Sequence, residues 1–344
     1  MAQLKSTLIF LLFGFSIVSA QDKHFTLYNL TPLALNPALT GASTSELRAG
    51  ALYRNQWRAV DKPFSTITAY GDKKIFLKHF DLGIGLSFLN DRSGPGGLNV
   101  VNVLPSVSIQ RRFGNHNLIL GVQPGIVHKK LQDATHPNQY DHSTGSYTTT
   151  LPSGESTNAY NKAYFDLNAG LTYIFRTEKS EFQIGQAFHH LTSPNESIVA
   201  NDENKLPMRY STHAAYLNWI TEKMYLNPSV LYMSHNKASE FALNIFAGRK
   251  IIYNEEMQLL GRIGLAYRNN IKNVNGDNFL SNSDAVSVLA GATWNKVALD
   301  FAYDINASSL SDVGRNAGAF EIALTYRNMF ERKTDIITVP CRRY

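Results

Sequence analysis

Period-two alternation of apolar and polar side chains, recurring from Leu47 to Asn328, most limits what this chain can fold into. Between Gly318 and Asn328, Phe320, Ile322, Leu324 and Tyr326 alternate with Ala319, Glu321, Ala323, Thr325 and Arg327. Val297, Leu299, Phe301, Tyr303 and Ile305 repeat the pattern against Ala298, Asp300, Ala302 and Asp304. Adjacent strand residues point to opposite faces, so each segment is a strand with one greasy face and one small or charged face. The acids Asp300 and Asp304 require that second face to meet water. Helical periodicity is almost absent.

No stretch past the first twenty residues reaches the ~18 uninterrupted apolar residues of a membrane-spanning helix. Anything here that crosses a membrane must cross as strands, and only a closed barrel satisfies every backbone group in lipid. A composition of 44% apolar and 17% charged residues, with 17 Tyr and 19 Phe, suits strands that are apolar on one face only.

The chain opens with one cation, Lys5, an apolar run from Thr7 to Val18, and the small residues Ser19 and Ala20 before Gln21. That is the layout of a secretory signal peptide over residues 1–20, cleaved after Ala20. The apolar run is too short for a spanning anchor. The formal charge of +6, or +5 once Lys5 is removed, is spread along the chain and does not point to nucleic acid. The single cysteine, Cys341, excludes an intrachain disulfide and lies far from where a lipoprotein anchor would be.

The alternation predicts an all-β, antiparallel transmembrane outer-membrane barrel of about fourteen strands, an even number as bacterial barrels have. The strands are placed at 47–57, 64–71, 82–90, 98–112, 117–128, 163–176, 181–189, 208–219, 223–234, 239–250, 256–268, 284–293, 296–305 and 318–328. With the N-terminus in the periplasm, every second connection should be a short periplasmic turn. Gly114 to His116, Thr177 to Ser180, Ile220 to Glu222 and Trp294-Asn295 obey this. Lys129 to Lys162, His190 to Pro207, Asn269 to Ser283 and Asn306 to Ala317 are long, polar and read as extracellular loops. Asp72 to Asp81 and Ile251 to Glu255 are longer than the rule wants. A soluble periplasmic β-protein has no reason to sort its loops by parity.

Aromatic residues gather near strand ends: Tyr53, Trp57, Phe88, Phe113, Tyr173, Phe175, Tyr216, Trp219, Tyr267, Trp294 and Tyr326. Rings with a polar edge partition to the headgroup level, although β-propensity alone also enriches them. The segment 21–46, with Pro32 and Pro37, is unsuited to a central strand and reads as an N-terminal element in the periplasm or a plug in the lumen. Residues 329–344 continue past the last strand and read as a periplasmic tail, a candidate contact for a periplasmic partner.

Several stretches carry a family likeness. Phe25-Thr26-Leu27-Tyr28 followed by Asn36-Pro37-Ala38-Leu39-Thr40-Gly41 resembles the opening of the PorP/SprF family of type IX secretion system membrane proteins. Leu52-Tyr53-Arg54-Asn55-Gln56-Trp57 resembles that family's first-strand motif. Gly318-Ala319-Phe320-Glu321-Ile322 and Pro340-Cys341-Arg342-Arg343-Tyr344 are similar to its ending, with Arg342 and Tyr344 departing from the usual proline and phenylalanine. The resemblance implies an outer-membrane component of the type IX secretion or gliding motility apparatus. Such a component assists secretion of, or retains at the cell surface, a large partner with a C-terminal sorting domain. The implied partners are that surface protein, periplasmic type IX subunits and outer-membrane lipid. The residues singled out as plug or partner contacts are Tyr28, Asn36, Pro37, Gly41, Tyr53, Arg54, Asn55, Gln56, Trp57 and Cys341.

Tyr53, Asn55 and Trp57 share one strand face, and Leu52, Arg54 and Gln56 the other. If Arg54 and Gln56 face the lumen, they could hydrogen-bond the Asn36-Pro37 segment and seat it. Alternatively, Arg54 satisfies acids on neighbouring strands such as Asp300 or Glu321.

A search for chemistry is short. No Gly-x-Ser-x-Gly elbow, triad spacing, Walker loop or dinucleotide fingerprint is present, so no enzyme activity and no cofactor is expected. Asp133, His136, Asp141 and His142 form the nearest metal-like cluster, but loop histidines are usually solvated. His189-His190 reads as interfacial, and Asn273 to Asp277 as a turn that lacks the following bidentate acid of a calcium loop. A plugged barrel could also be a transporter or porin for small hydrophobic substrates, which is the competing function.

Overall fold

The computed structural model describes residues 24–56, 63–93, 97–131, 140–141, 143–148, 151, 161–198, 202–236, 238–254, 257–272, 283–307 and 318–328. Residues 1–20, expected to be a signal peptide, Trp57, the residues 273–277 and the tail with Cys341 lie outside them.

Among the described residues fourteen antiparallel strands close into a barrel. In chain order they are β1 (Leu47–Gln56), β2 (Phe64–Phe76), β3 (Asp81–Ser93), β4 (Leu98–Phe113), β5 (His116–Leu131), β8 (Asn161–Arg176), β9 (Ser180–His189), β10 (Arg209–Trp219), β11 (Met224–His235), β12 (Ala238–Tyr253), β13 (Gln258–Lys272), β14 (Ser283–Trp294), β15 (Val297–Asn306) and β16 (Ala319–Asn328). A two-stranded hairpin, β6 (Tyr140–Asp141) and β7 (Ser146–Tyr147), stands in the connection after β5. Every barrel strand pairs with its sequence neighbour, and β1 pairs with β16 to close the wall. All fourteen strands lie where the alternation predicts them.

Leu47 faces Asn328 across the closing pair, so the barrel's first and last residues share one mouth. The turns at that mouth are residues 77–80, 114–115, 177–179, 220–223, 254–257 and 295–296. The two connections that were too long for the parity rule are short after all, because β2 runs on to Phe76 and β12 to Tyr253. The other ends of the strands, from Gln56 and Phe64 round to Asn306 and Ala319, form the opposite mouth.

The two faces of the wall differ as the alternation requires. On β5, Leu118, Leu120, Val122 and Ile126 are exposed outside, while Asn117, Ile119 and Gln123 are buried inside. On β15, Leu299, Phe301 and Tyr303 point out and Asp300, Ala302 and Asp304 point in. Exposed aromatics form two belts: Phe113, Tyr216, Trp294 and Tyr326 toward the terminal mouth, and Phe165, Tyr210, Tyr232 and Tyr303 toward the other. Trp219 does not join them; it stacks on the inward-facing Tyr225 at 5.1 Å between centroids. Pro105 and Pro124 sit in mid-strand, where the β4–β5 ladder is interrupted between Val103↔Ile126 and Val107↔Val122. A proline has no N–H to give to a ladder, so the interruption falls where the donors are missing.

The apolar core lies inside the barrel and is built around the segment before β1. Phe25 and Leu27 pack with Leu52, Leu89, Phe246 and Leu289. Tyr28, Leu35, Ala38 and Leu39 pack with Ile119, Ile174 and Leu231. That segment holds 3-10 turns at Tyr28–Leu30 and Pro37–Leu39 and one helical turn at Pro32–Leu35. Prolines open the latter two, where the missing N–H costs nothing.

Candidate functional site

The lumen seats residues 24–45 through three sets of contacts. The first is a charged latch. Glu321 accepts the backbone N–H of Thr26 and of Leu27, both at 2.8 Å. The Thr26 hydroxyl donates to Asp304 at 2.7 Å, and the Asn244 amide donates to the Thr26 carbonyl at 2.7 Å. Arg54 ties the acids together, 2.5 Å from Glu321 and 3.0 Å from Asp304, and Arg268 reaches Asp304 at 3.2 Å and Asp284 at 2.5 Å. These strands sit far apart in sequence, yet their alternate positions all aim inward. Buried charges are tolerable only when paired and hydrogen-bonded, and here Glu321 and Asp304 each have several donors.

The second set is a cradle of inward positions that lack a Cβ. A Cβ on Gly170 would lie 1.9 Å from Asn36 Oδ1, one on Gly121 2.4 Å from the Pro37 backbone, and one on Gly83 2.3 Å from the Thr40 carbonyl oxygen. The backbone from Asn36 to Thr40 therefore lies against β3, β5 and β8 at a distance only glycine permits. Asn36 is fully buried; its amide donates to Thr172 at 3.1 Å, and its Oδ1 accepts the Ala38 N–H at 2.9 Å.

The third set fixes the run into β1. The Ser108 hydroxyl donates to the Thr40 carbonyl at 2.6 Å, and Asp72 accepts the N–H of Gly41, which has a φ of 64°. Asp72 also takes Arg48 through two bonds at 2.9 Å, and Arg48 donates to the Leu39 carbonyl. In mid-segment Tyr28 donates to Ser229 at 3.0 Å, and burial pushes its phenol up from the ordinary value.

Both readings of Arg54 contain part of the arrangement. Arg54 faces the lumen and pairs with Glu321, but its second acid is Asp304; Asp300 belongs to Arg262 at 2.6 Å. Arg54 meets Thr26 rather than the Asn36-Pro37 stretch, which lies on the β5–β8 side. Gln56 accepts from Arg54 at 3.4 Å and does not reach the segment. Tyr53 and Asn55 share the other face, where the Asn55 amide donates to the Tyr53 hydroxyl and Tyr53 stacks edge-on with Phe320.

The histidine pair is not interfacial: His189 is buried on the inner wall because strand parity turns it inward. His190 pairs with Asp166 at 2.8 Å. Both line a lumen cavity of about 90 Å³ with Tyr28, Leu35, Arg209 and Met233. Of the metal-like loop cluster only Asp141 is described; it accepts from the Ser143 N–H and hydroxyl, which hold its carboxyl below the ordinary value. Sequence reasoning missed Thr26, Asp304, Arg268 and the glycine cradle. Inward glycines on β3, β5 and β8 were the available signal, since they leave the wall thin at that point.

A family model described as type IX secretion system membrane protein PorP/SprF matches residues 17–326. No curated protein matches the chain. Among solved structures, a Pseudomonas aeruginosa FadL homologue shares 11% identity at a TM-score of 0.47, covering 86% of this chain and 94% of that one. The CymD monoaromatic hydrocarbon channel shares 10% at a TM-score of 0.47, with 87% and 92% covered. BamA from Haemophilus ducreyi lacking POTRA domains 1-3 shares 9% at a TM-score of 0.42, with 82% and 70% covered.

Proposed function

The chain belongs to the PorP/SprF family of type IX secretion system membrane proteins, and on that premise we propose that it assists secretion or surface retention of a large partner protein without catalysing a reaction. A closed antiparallel wall with an apolar exterior, in a family of membrane proteins, is an outer-membrane barrel. In this reading residues 1–20 are removed on export, and residues 21–46 act as a plug. The terminal mouth with its short turns faces the periplasm, and residues 329–344 extend there toward periplasmic type IX subunits. The longer connections face outward and meet the partner, a protein with a C-terminal sorting domain.

The observation that carries the reading is the family match across nearly the whole wall. The seated segment supports it: a lumen filled by the chain's own residues leaves the loops and mouths as the binding surfaces. Crosslinked pull-down from intact outer membranes should recover one large surface protein together with periplasmic secretion subunits. Deleting the chain should strip that protein from the surface. A deletion strain with normal surface display would refute the proposal.

One observation favours a transporter of small hydrophobic substrates: the cavity walled by Phe25, Leu35, Leu104, Leu231 and Met233. Uptake of such a compound that depends on this chain, with surface display unaffected, would replace the secretion reading by that one.

A further inference from the structure

The inner wall carries an unbalanced positive rim at the terminal mouth. Arg48 and Arg327 stand directly opposite each other across the β1–β16 pair, on the inward face shared with Arg54 and Glu321. Like charges in opposed positions of a ladder destabilise it unless something neutralises them. Arg48 has its own acid, Asp72, through two bonds at 2.9 Å, and lies 5.6 Å from the centroid of the Tyr70 ring. Arg262, on the neighbouring wall, has Asp300 through bonds at 2.6 and 2.5 Å.

Arg327 differs from both. Among the described residues no carboxylate forms an ion pair with it, and its side chain is exposed in the mouth. On its other side its backbone N–H donates to the Lys296 carbonyl at 2.8 Å. The rim therefore reads Lys296, Arg327, Arg48 in successive register positions. Higher in the lumen the pattern is opposite, since Asp304 and Glu321 are matched by Arg54 and Arg268. The excess cation is local to the mouth.

We propose that Arg327, with Lys296 beside it, is a docking site for the carboxylates of an acidic polypeptide segment presented at this mouth. A guanidinium offers a planar fork that takes a carboxylate through two parallel bonds, and the flanking Lys296 adds a field that draws acidic chain inward. The inward-facing rim is out of reach of lipid headgroups. The periplasmic side of this mouth rests on the secretion reading above; the charge geometry does not.

The test uses the full-length barrel in phosphatidylcholine nanodiscs and a rhodamine-labelled hexaglutamate peptide, read by fluorescence anisotropy. The peptide should bind, and more weakly as salt is raised. Arg327→Gln should weaken binding about tenfold, Arg327→Lys less, and Arg327→Glu should abolish it. Heat-modifiable gel mobility verifies that each variant is a closed barrel. Equal binding by wild type and Arg327→Glu overturns the site, as does equal binding of hexalysine. Competition by inorganic phosphate at matched charge would make it a small-anion site and overturn the polypeptide proposal. Failure of peptide binding leaves surface display by the intact strain untouched, so the two proposals fail separately.

Discussion

Asn36 Oδ1 stands 1.9 Å from the place a side chain on Gly170 would have to begin. The carboxamide cannot swing away freely, because its other end is bonded to Thr172 and its oxygen caps the Ala38 N–H. On the next strand Gly121 meets the Pro37 backbone, which can yield even less. Gly121→Val should therefore unseat the segment while leaving the wall closed, at a cost of about 1–3 kcal/mol. Limited proteolysis of the folded protein should show new cleavage between residues 24 and 45. Unchanged protection in a barrel of normal gel mobility would contradict the cradle.

Arg54→Leu removes the cation shared by Glu321 and Asp304. Breaking a buried pair costs about 3–5 kcal/mol, and Arg268 beside Asp304 places the loss at the lower end. Arg54→Leu combined with Glu321→Leu should recover part of it, because no carboxylate is then left alone there. Guanidinium unfolding in detergent, followed by tryptophan fluorescence, measures both. A double variant less stable than the single one would show that Glu321 matters chiefly through Thr26 and Leu27.

Val122 faces outward in the middle of β5, 50% exposed. Val122→Arg should cost about 2–4 kcal/mol at the bilayer midplane, whereas Phe113→Arg, at the strand end, should cost about 1 or less. Equilibrium folding into vesicles reads the difference, and equal costs would place the lipid band elsewhere.

Deleting residues 24–45 while keeping residues 1–23 removes the apolar packing against Leu52, Ile119, Ile174 and Leu289 and the bonds to Asp72 and Glu321. The emptied lumen should conduct ions steadily in planar bilayers, where the intact chain conducts little. Equal conductance of the two would mean that the segment does not obstruct the pore.

The wall was legible because one physical constraint, opposite solvents on its two faces, acts at every second residue. Leu299, Phe301 and Tyr303 against Asp300, Ala302 and Asp304 state it without any partner being known. The same parity, applied to β9, would have turned His189 inward. The seat of the segment was not legible, because its bonds join residues as distant as Thr26 and Glu321, and no local pattern pairs them. Arg54 illustrates the limit: its charge required an acid nearby, but two inward acids on β15 are equally spaced candidates, and only the closed wall chooses Asp304 over Asp300.

Joining β1 to β16 makes the first strand of the wall wait for the last one. Until Ala319–Asn328 has been synthesised and exported, Leu47–Gln56 has an unclosed edge, and everything ahead of it can still enter from the side. Once the seam shuts, residues 24–45 could reach their berth only by threading through a mouth. Assembly order thus favours a segment gathered against the growing sheet early and enclosed late, so whatever inserts this protein must hold open a gap that its own chain already partly fills.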